Sequence, residues 1–201
     1  MLRVQGASPD PDPVLARHPV GSVVEVARTP EGCGTASFDV TGDFRYRLSR
    51  VWDPDGARLC FVLLNPSTAD ARQLDPTLRR CVGFGRRLGA GAIEVVNLFA
   101  LRSTDPAGLG RALDPVGPGN DEAIVAAACS SEGVICGWGA LGTLGGRDGA
   151  VAALLEATGI ELRCLGRTAS GQPSHPLYLR ADASAHPFSA AGRALRASGP
   201  R

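Results

Sequence analysis

The sequence predicts an α/β protein: a three-layer α/β/α sandwich around a mainly parallel sheet of about four strands, with an antiparallel hairpin on its N-terminal side. Three observations predict it. The runs at 59–64, 93–99, 133–137 and 161–165 are apolar at consecutive positions, as strands covered on both faces are. Helical patterns at 75–88, 121–131 and 147–158 fall between them, and strands alternating with helices imply a parallel sheet. Ahead of the first apolar run, two weaker β patterns at 22–28 and 36–52 end in the turn signal DPDG at 53–56.

Along 36–52, Phe44, Tyr46, Leu48 and Val51 roughly alternate with Arg45, Arg47 and Arg50, which suits an antiparallel strand with one wet face. Across DPDG it is expected to form the hairpin with 59–64. Asp75-Pro76 reads as N-cap and first helical residue; Leu78, Cys81, Val82, Phe84 and Leu88 make the apolar stripe, and Gly89 ends the helix. Arg79/Arg86 and Arg80/Arg87 repeat at seven-residue spacing on its other faces. Asp105-Pro106 opens a short helix. Gly159 closes the 147–158 helix, and a loop containing SHPLYL comes after the last strand.

With 201 residues and 20.7 kDa, one compact domain at 21–180 is expected, between a disordered segment at 1–20 and a polar tail at 181–201. Aromatics are only 5%, so the core must rest on Leu, Val, Ala and Ile. All 21 cationic residues are Arg, which excludes a side-chain Schiff base, a Walker A lysine and a pyridoxal-phosphate lysine. A net charge of +1 argues against a long phosphate-tracking surface for duplex DNA. No apolar run of membrane-spanning length and no signal-peptide core occur, so a cytoplasmic location and no membrane partner are expected. The six cysteines are scattered without CxxC and read as reduced core thiols; with three His outside any HxH or HxxxH, no metal or other cofactor is expected. The residues leave the oligomeric state open.

Ligands of open parallel sheets bind beyond the carboxyl ends of the strands. The segments just after each strand therefore supply the candidate site: Asn65, Ser67 and Asp70; then Asn97, Phe99 and Arg102; then Trp138; then Thr168 and His175. Arg79 and Arg80, in the first turn after the Asn65 loop, lie near it. Asn97 is the most informative, because an amide ending a buried strand either caps a loop or reads a ligand edge, and nucleobase edges are the usual partners of a bidentate amide. Gly137–Gly142 spells GxGxxG. The next helix starts late, at Arg147, and Gly166-Arg167 stand where a dinucleotide fold needs an acid, so the string reads as a loop permitting close backbone approach. Ser67 with His175 offers a hydrolase alternative, without a GxSxG elbow.

The strings RYRL at 45–48, LNPSTAD at 64–70, DPT at 75–77, VNLFALR at 96–102, GPGND at 117–121 and HPLYL at 175–179 resemble, in order, a bacterial family called domain of unknown function 1643. More distantly, strand–(N/D)P–loop, a strand ending in Asn, WG after a strand and HPxL resemble the uracil-DNA glycosylase superfamily. That resemblance implies its α/β/α sandwich and three roles: Asn65 positions the attacking water, Asn97 reads the base, and His175 assists departure of the base. Phe99 and Trp138 are candidates to stack on it. Position 65 is Asn rather than Asp, so it cannot act as a general base. The expected function is thus a nucleobase- or nucleotide-processing hydrolase that cleaves an N-glycosidic bond. The alternative is a non-catalytic nucleotide or nucleic-acid binding module. The expected partner is a nucleotide, nucleoside or short single-stranded nucleic acid.

Overall fold

A computed structural model describes residues 18, 19, 21–29 and 32–190. The segment expected to be disordered at 1–20 therefore falls, apart from 18 and 19, outside the described residues, as do the last residues of the tail, 191–201.

Eight strands form one sheet: β1 (Val23–Thr29), β2 (Gly32–Phe38), β3 (Arg45–Val51), β4 (Arg58–Leu63), β5 (Ala92–Asn97), β6 (Gly133–Cys136), β7 (Leu162–Cys164) and β8 (His186–Pro187). The helices are α1 (Pro76–Arg87), α2 (Asn120–Cys129) and α3 (Arg147–Glu156). The spatial order is β1-β2-β3-β5-β4-β6-β7-β8.

The protein is α/β as expected, but the sheet is mixed rather than mainly parallel. Only β5/β4, β4/β6 and β6/β7 pair in parallel; β1/β2, β2/β3, β3/β5 and β7/β8 are antiparallel. The expected hairpin of β3 with β4 does not form, because β5 lies between them. The DPDG turn crosses that intervening strand: Trp52 N and Asp53 N both donate to Gly91 O at 3.0 Å. Strands apolar on both faces must be covered on both faces. So β4 and β5 occupy the middle, and β3 is displaced outward.

The helices cover both faces. Phe61, Leu63, Ile93 and Val95 pack with Leu78, Cys81 and Phe84 of α1. Cys60, Val62 and Val96 pack with Ile124 and Ala127 of α2 and with Val151 and Leu155 of α3. The α1 signals hold: Asp75 Oδ1 accepts from Leu78 N at 2.8 Å, and Gly89 has φ +82°. Cys60, Cys81, Cys136 and Cys164 are core residues, and burial pushes the thiols of the first three up.

Two edges differ from expectation. Residues beyond 181, expected as a polar tail, return to the sheet: β8 pairs with β7, and Phe188 is 7% exposed, edge-on to Trp138 at 5.5 Å. And β3 has no wet face. Its register steps from Ser37↔Arg47 to Phe38↔Arg45, which leaves Tyr46 as the extra residue of a β-bulge. Arg45, Arg47 and Arg50 are all buried, at 2%, 1% and 0% exposure.

Candidate functional site

The polypeptide leaves β4 toward α1 on one face and leaves β5 toward α2 on the other. Two adjacent parallel strands whose continuations diverge to opposite faces make a topological switch point, where α/β sheets hold ligands. Asn65 lies just past β4 and Asn97 ends β5, so both stand at that point.

The loops there are clipped together. Leu98 N donates to Leu63 O at 2.9 Å, Phe99 N to Leu64 O at 3.0 Å and Ser103 N to Pro66 O at 2.9 Å. The Asn65 amide joins them: its Nδ2 donates to Pro66 O at 3.0 Å and to Ser103 O at 2.9 Å. The carbonyls after β5 are fixed from the far face. Asn120 Nδ2 donates to Asn97 O and Leu98 O, each at 3.1 Å, and Arg147 Nε donates to Leu98 O at 2.8 Å. Arg147 in turn pairs with Asp121. Sequence reasoning did not single out Asn120 as a positioning residue, although GPGND at 117–121 carried the signal.

Several candidate residues serve the loops themselves. Asp70 Oδ1 accepts from Arg72 N and Gln73 N at 2.7 Å. Arg102 lies over Phe38 at 5.1 Å and donates to Gly42 O at 3.0 Å and Ser67 O at 3.4 Å. Thr168 Oγ1 accepts from Gln172 N at 3.1 Å. Phe99 and Trp138 lie in the core, at 3% and 1% exposure, and Trp138 Nε1 donates to Gln172 Oε1 at 2.7 Å. The glycines of GxGxxG serve packing: a Cβ on Gly142 would meet the Trp138 ring at 2.0 Å, and Gly139 has φ +74°. On α1, Arg80 and Arg87 donate to Leu179 O and Ala183 O, while Arg79 and Arg86 are exposed, Arg86 lying over Trp52 at 4.9 Å. The free face is therefore the Arg79/Arg86 row.

His175 caps the one-turn 3-10 helix Pro176–Tyr178, its Nδ1 accepting from Leu177 N at 3.4 Å. That bond places the neutral ring's proton on Nε2. Burial holds its pKa below the ordinary histidine value, against the opposing field of the Asp75 carboxylate. The same carboxylate acts on Arg45, so the α1 N-terminus has His175 and Arg45 as electrostatic neighbours.

Of the side chains on this side of the sheet that keep unused polar atoms, Asn97 and Arg45 lie at the switch-point end. Asn97 is 1% exposed, and neither Oδ1 nor Nδ2 has a partner among the described residues. Arg45 is 2% exposed; its NH1 donates to Ala69 O at 2.9 Å and its Nε has no partner. Burial lowers the Arg45 pKa to about 10, which leaves it charged at neutral pH. Buried polar groups are nearly always paired, and an orphan costs about 1–3 kcal/mol. Arg45 was legible only as part of an alternating pattern, and the bulge that re-aims it has no sequence signature. A cleft of about 310 Å³ at the opposite, amino ends of the strands, lined by Leu88, Glu132, Glu161 and Arg163, contains none of these orphaned groups.

The fold and site define a mixed-sheet α/β protein with an enclosed polar corner at its switch point. The chain belongs to the family described as protein of unknown function (DUF1643), whose model matches residues 45–177. That span runs from the bulged arginine through Asn65, Asn97 and His175. No curated protein and no solved structure matches the chain. Among the described residues, no helix is long and apolar enough to cross a membrane.

Proposed function

We propose that the switch-point corner binds a nucleobase and that the protein cleaves the N-glycosidic bond of a nucleotide, nucleoside or short single strand, on a uracil-DNA glycosylase-like arrangement. The observation that carries this reading is Asn97. Its backbone carbonyl is held by Asn120, and its side-chain amide keeps one acceptor and two donors unused, which matches the amide-like edge of a base.

Three side chains divide the work. Asn97 reads the base edge. His175, neutral and protonated on Nε2, donates to the base carbonyl as the C1′–N bond breaks and the electron pair leaves with the base. Water adds to the oxocarbenium-like C1′ and loses its proton to solvent. Asn65 orients that water through Oδ1, since its Nδ2 is occupied by Pro66 O and Ser103 O. A fixed donor of the His175 kind is worth about 10²–10³ in rate.

A second reading, a binding module without turnover, is favoured by one observation: Asp70, the carboxylate of the Asn65 loop, is engaged by two backbone N–H groups. Chromatography of free base released from nucleosides, nucleotides and modified-base oligonucleotides tests both. Release that His175→Ala lowers about 10²–10³-fold supports hydrolysis. Binding without release selects the module, and neither binding nor release removes both.

A further inference from the structure

The Tyr46 bulge puts Arg45 on the same side of β3 as Arg50: their guanidiniums reach successive carbonyls of one loop, Ala69 O at 2.9 Å and Asp70 O at 3.1 Å. Among the described residues, no carboxylate forms an ion pair with Arg45. It differs in this from Arg47 on the other face, whose Nε meets Glu94 Oε1 at 2.9 Å. A buried cation held only by a carbonyl is costly, and proteins keep such groups where something else supplies the counter-charge. β3 and β5 are neighbours, Arg45 and Asn97 lie at adjoining ends of them on the sheet face that carries Ile93 and Val95, and the Arg45 backbone N donates to Ala100 O at 2.9 Å, so the guanidinium and the unused amide stand on the same side of the sheet. The nearest negative charges, Asp70 and Asp75, act on Arg45 only through space, and both have a carboxylate oxygen capping backbone N–H groups.

We infer that Arg45 recognises the phosphate of the ligand whose base Asn97 reads, so that the site selects a nucleoside monophosphate over the neutral nucleoside. The inference rests on the base-binding reading and adds the anionic group to it. Arg rather than Lys suits the task, because its planar fork offers parallel donors to two phosphate oxygens, and the orphaned Nε is one of them. The arginines on the exposed side of α1 take no part.

The experiment compares inorganic phosphate, nucleosides and their 5′-monophosphates by thermal shift and titration calorimetry, on the full chain and on Arg45→Met. The unmodified protein should bind a monophosphate roughly ten- to a hundredfold more tightly than the matching nucleoside, the range for a hydrogen bond to a charged group. Arg45→Met should abolish that preference while its own melting midpoint stays level or rises, since a hydrophobic isostere removes the buried charge. Equal binding of nucleoside and monophosphate overturns the inference and leaves base recognition standing. Stabilisation by phosphate that Arg45→Met abolishes, without any nucleoside binding, keeps Arg45 as an anion site and removes the base reading. No response to any of the three probes overturns both. If Arg45→Met fails to fold, Arg45→Gln takes its place, and a monophosphate preference that survives that exchange overturns the inference.

Discussion

Arg45 and Arg47 stand two residues apart on β3 and are equally buried, yet the protein treats their charges in opposite ways. Arg47 faces the α2 side and meets Glu94, which Arg58 NH1 also reaches at 3.4 Å. Arg45 faces the switch point and is met by a carbonyl. One charge is paired with a carboxylate within the fold, and the other is not. The bulge at Tyr46 is what separates them, because without it both would point the same way.

The comparison breaks most sharply at Glu94. Glu94→Gln removes the carboxylate from a pair of which both side chains are 2% exposed, and should cost about 3–5 kcal/mol in urea unfolding. A loss as small as that of a surface variant would mean that the two arginines are not so different after all. Asn97→Leu comes next. It replaces orphaned polar atoms, so the unfolding midpoint should hold or rise while base binding disappears. Asn97→Asp should instead change which base competes best, because an acceptor replaces the donors.

A smaller effect concerns acid. Burial depresses the pKa of His175, and burial with the Arg47 charge takes His18 down to about 4. Both groups are neutral in the folded state at pH values where the unfolded chain is already protonated. Their contribution to stability is thus complete above about pH 6.5 and is lost as pH falls from there toward 4. His18→Gln should flatten that part of the stability–pH curve. An unchanged slope would mean that the pKa of His18 is not depressed by burial. The smallest effect belongs to Arg79→Ala/Arg86→Ala: a midpoint change within about 0.5 kcal/mol and no effect on mononucleotide binding. A steep salt dependence of oligonucleotide binding, lost in this variant, would instead assign the exposed α1 row to a polynucleotide.

Much of this arrangement is legible in the sequence where local chemistry decides it. Asp75-Pro76 and Gly89 bound α1, the consecutive apolar runs identify β4 through β7, and the rule on strand ends leads to Asn65 and Asn97. What escapes is set by non-local pairing. Nothing in DPDG says that a strand beyond the next helix, Ala92–Asn97, will enter between the two that it joins. The alternation of Arg45, Arg47 and Arg50 reads as a wet face because covering by the 64–75 loop and by α2 is invisible from within β3. The partners of Trp138 are hidden for the same reason: Gln172 and Phe188 are both distant in sequence.

The insertion of β5 also has a meaning in time. During synthesis β3 emerges before β5 exists, and β4 is not its partner in the native sheet. Until Ala92–Asn97 is made and has crossed over α1, one edge of the β1–β2–β3 meander has no strand to bond. Exposed edges invite pairing with other chains, and charged side chains on such an edge deter it. The strand on that edge carries Arg45, Arg47 and Arg50, and the strand that covers it in the native fold brings Glu94 to Arg47.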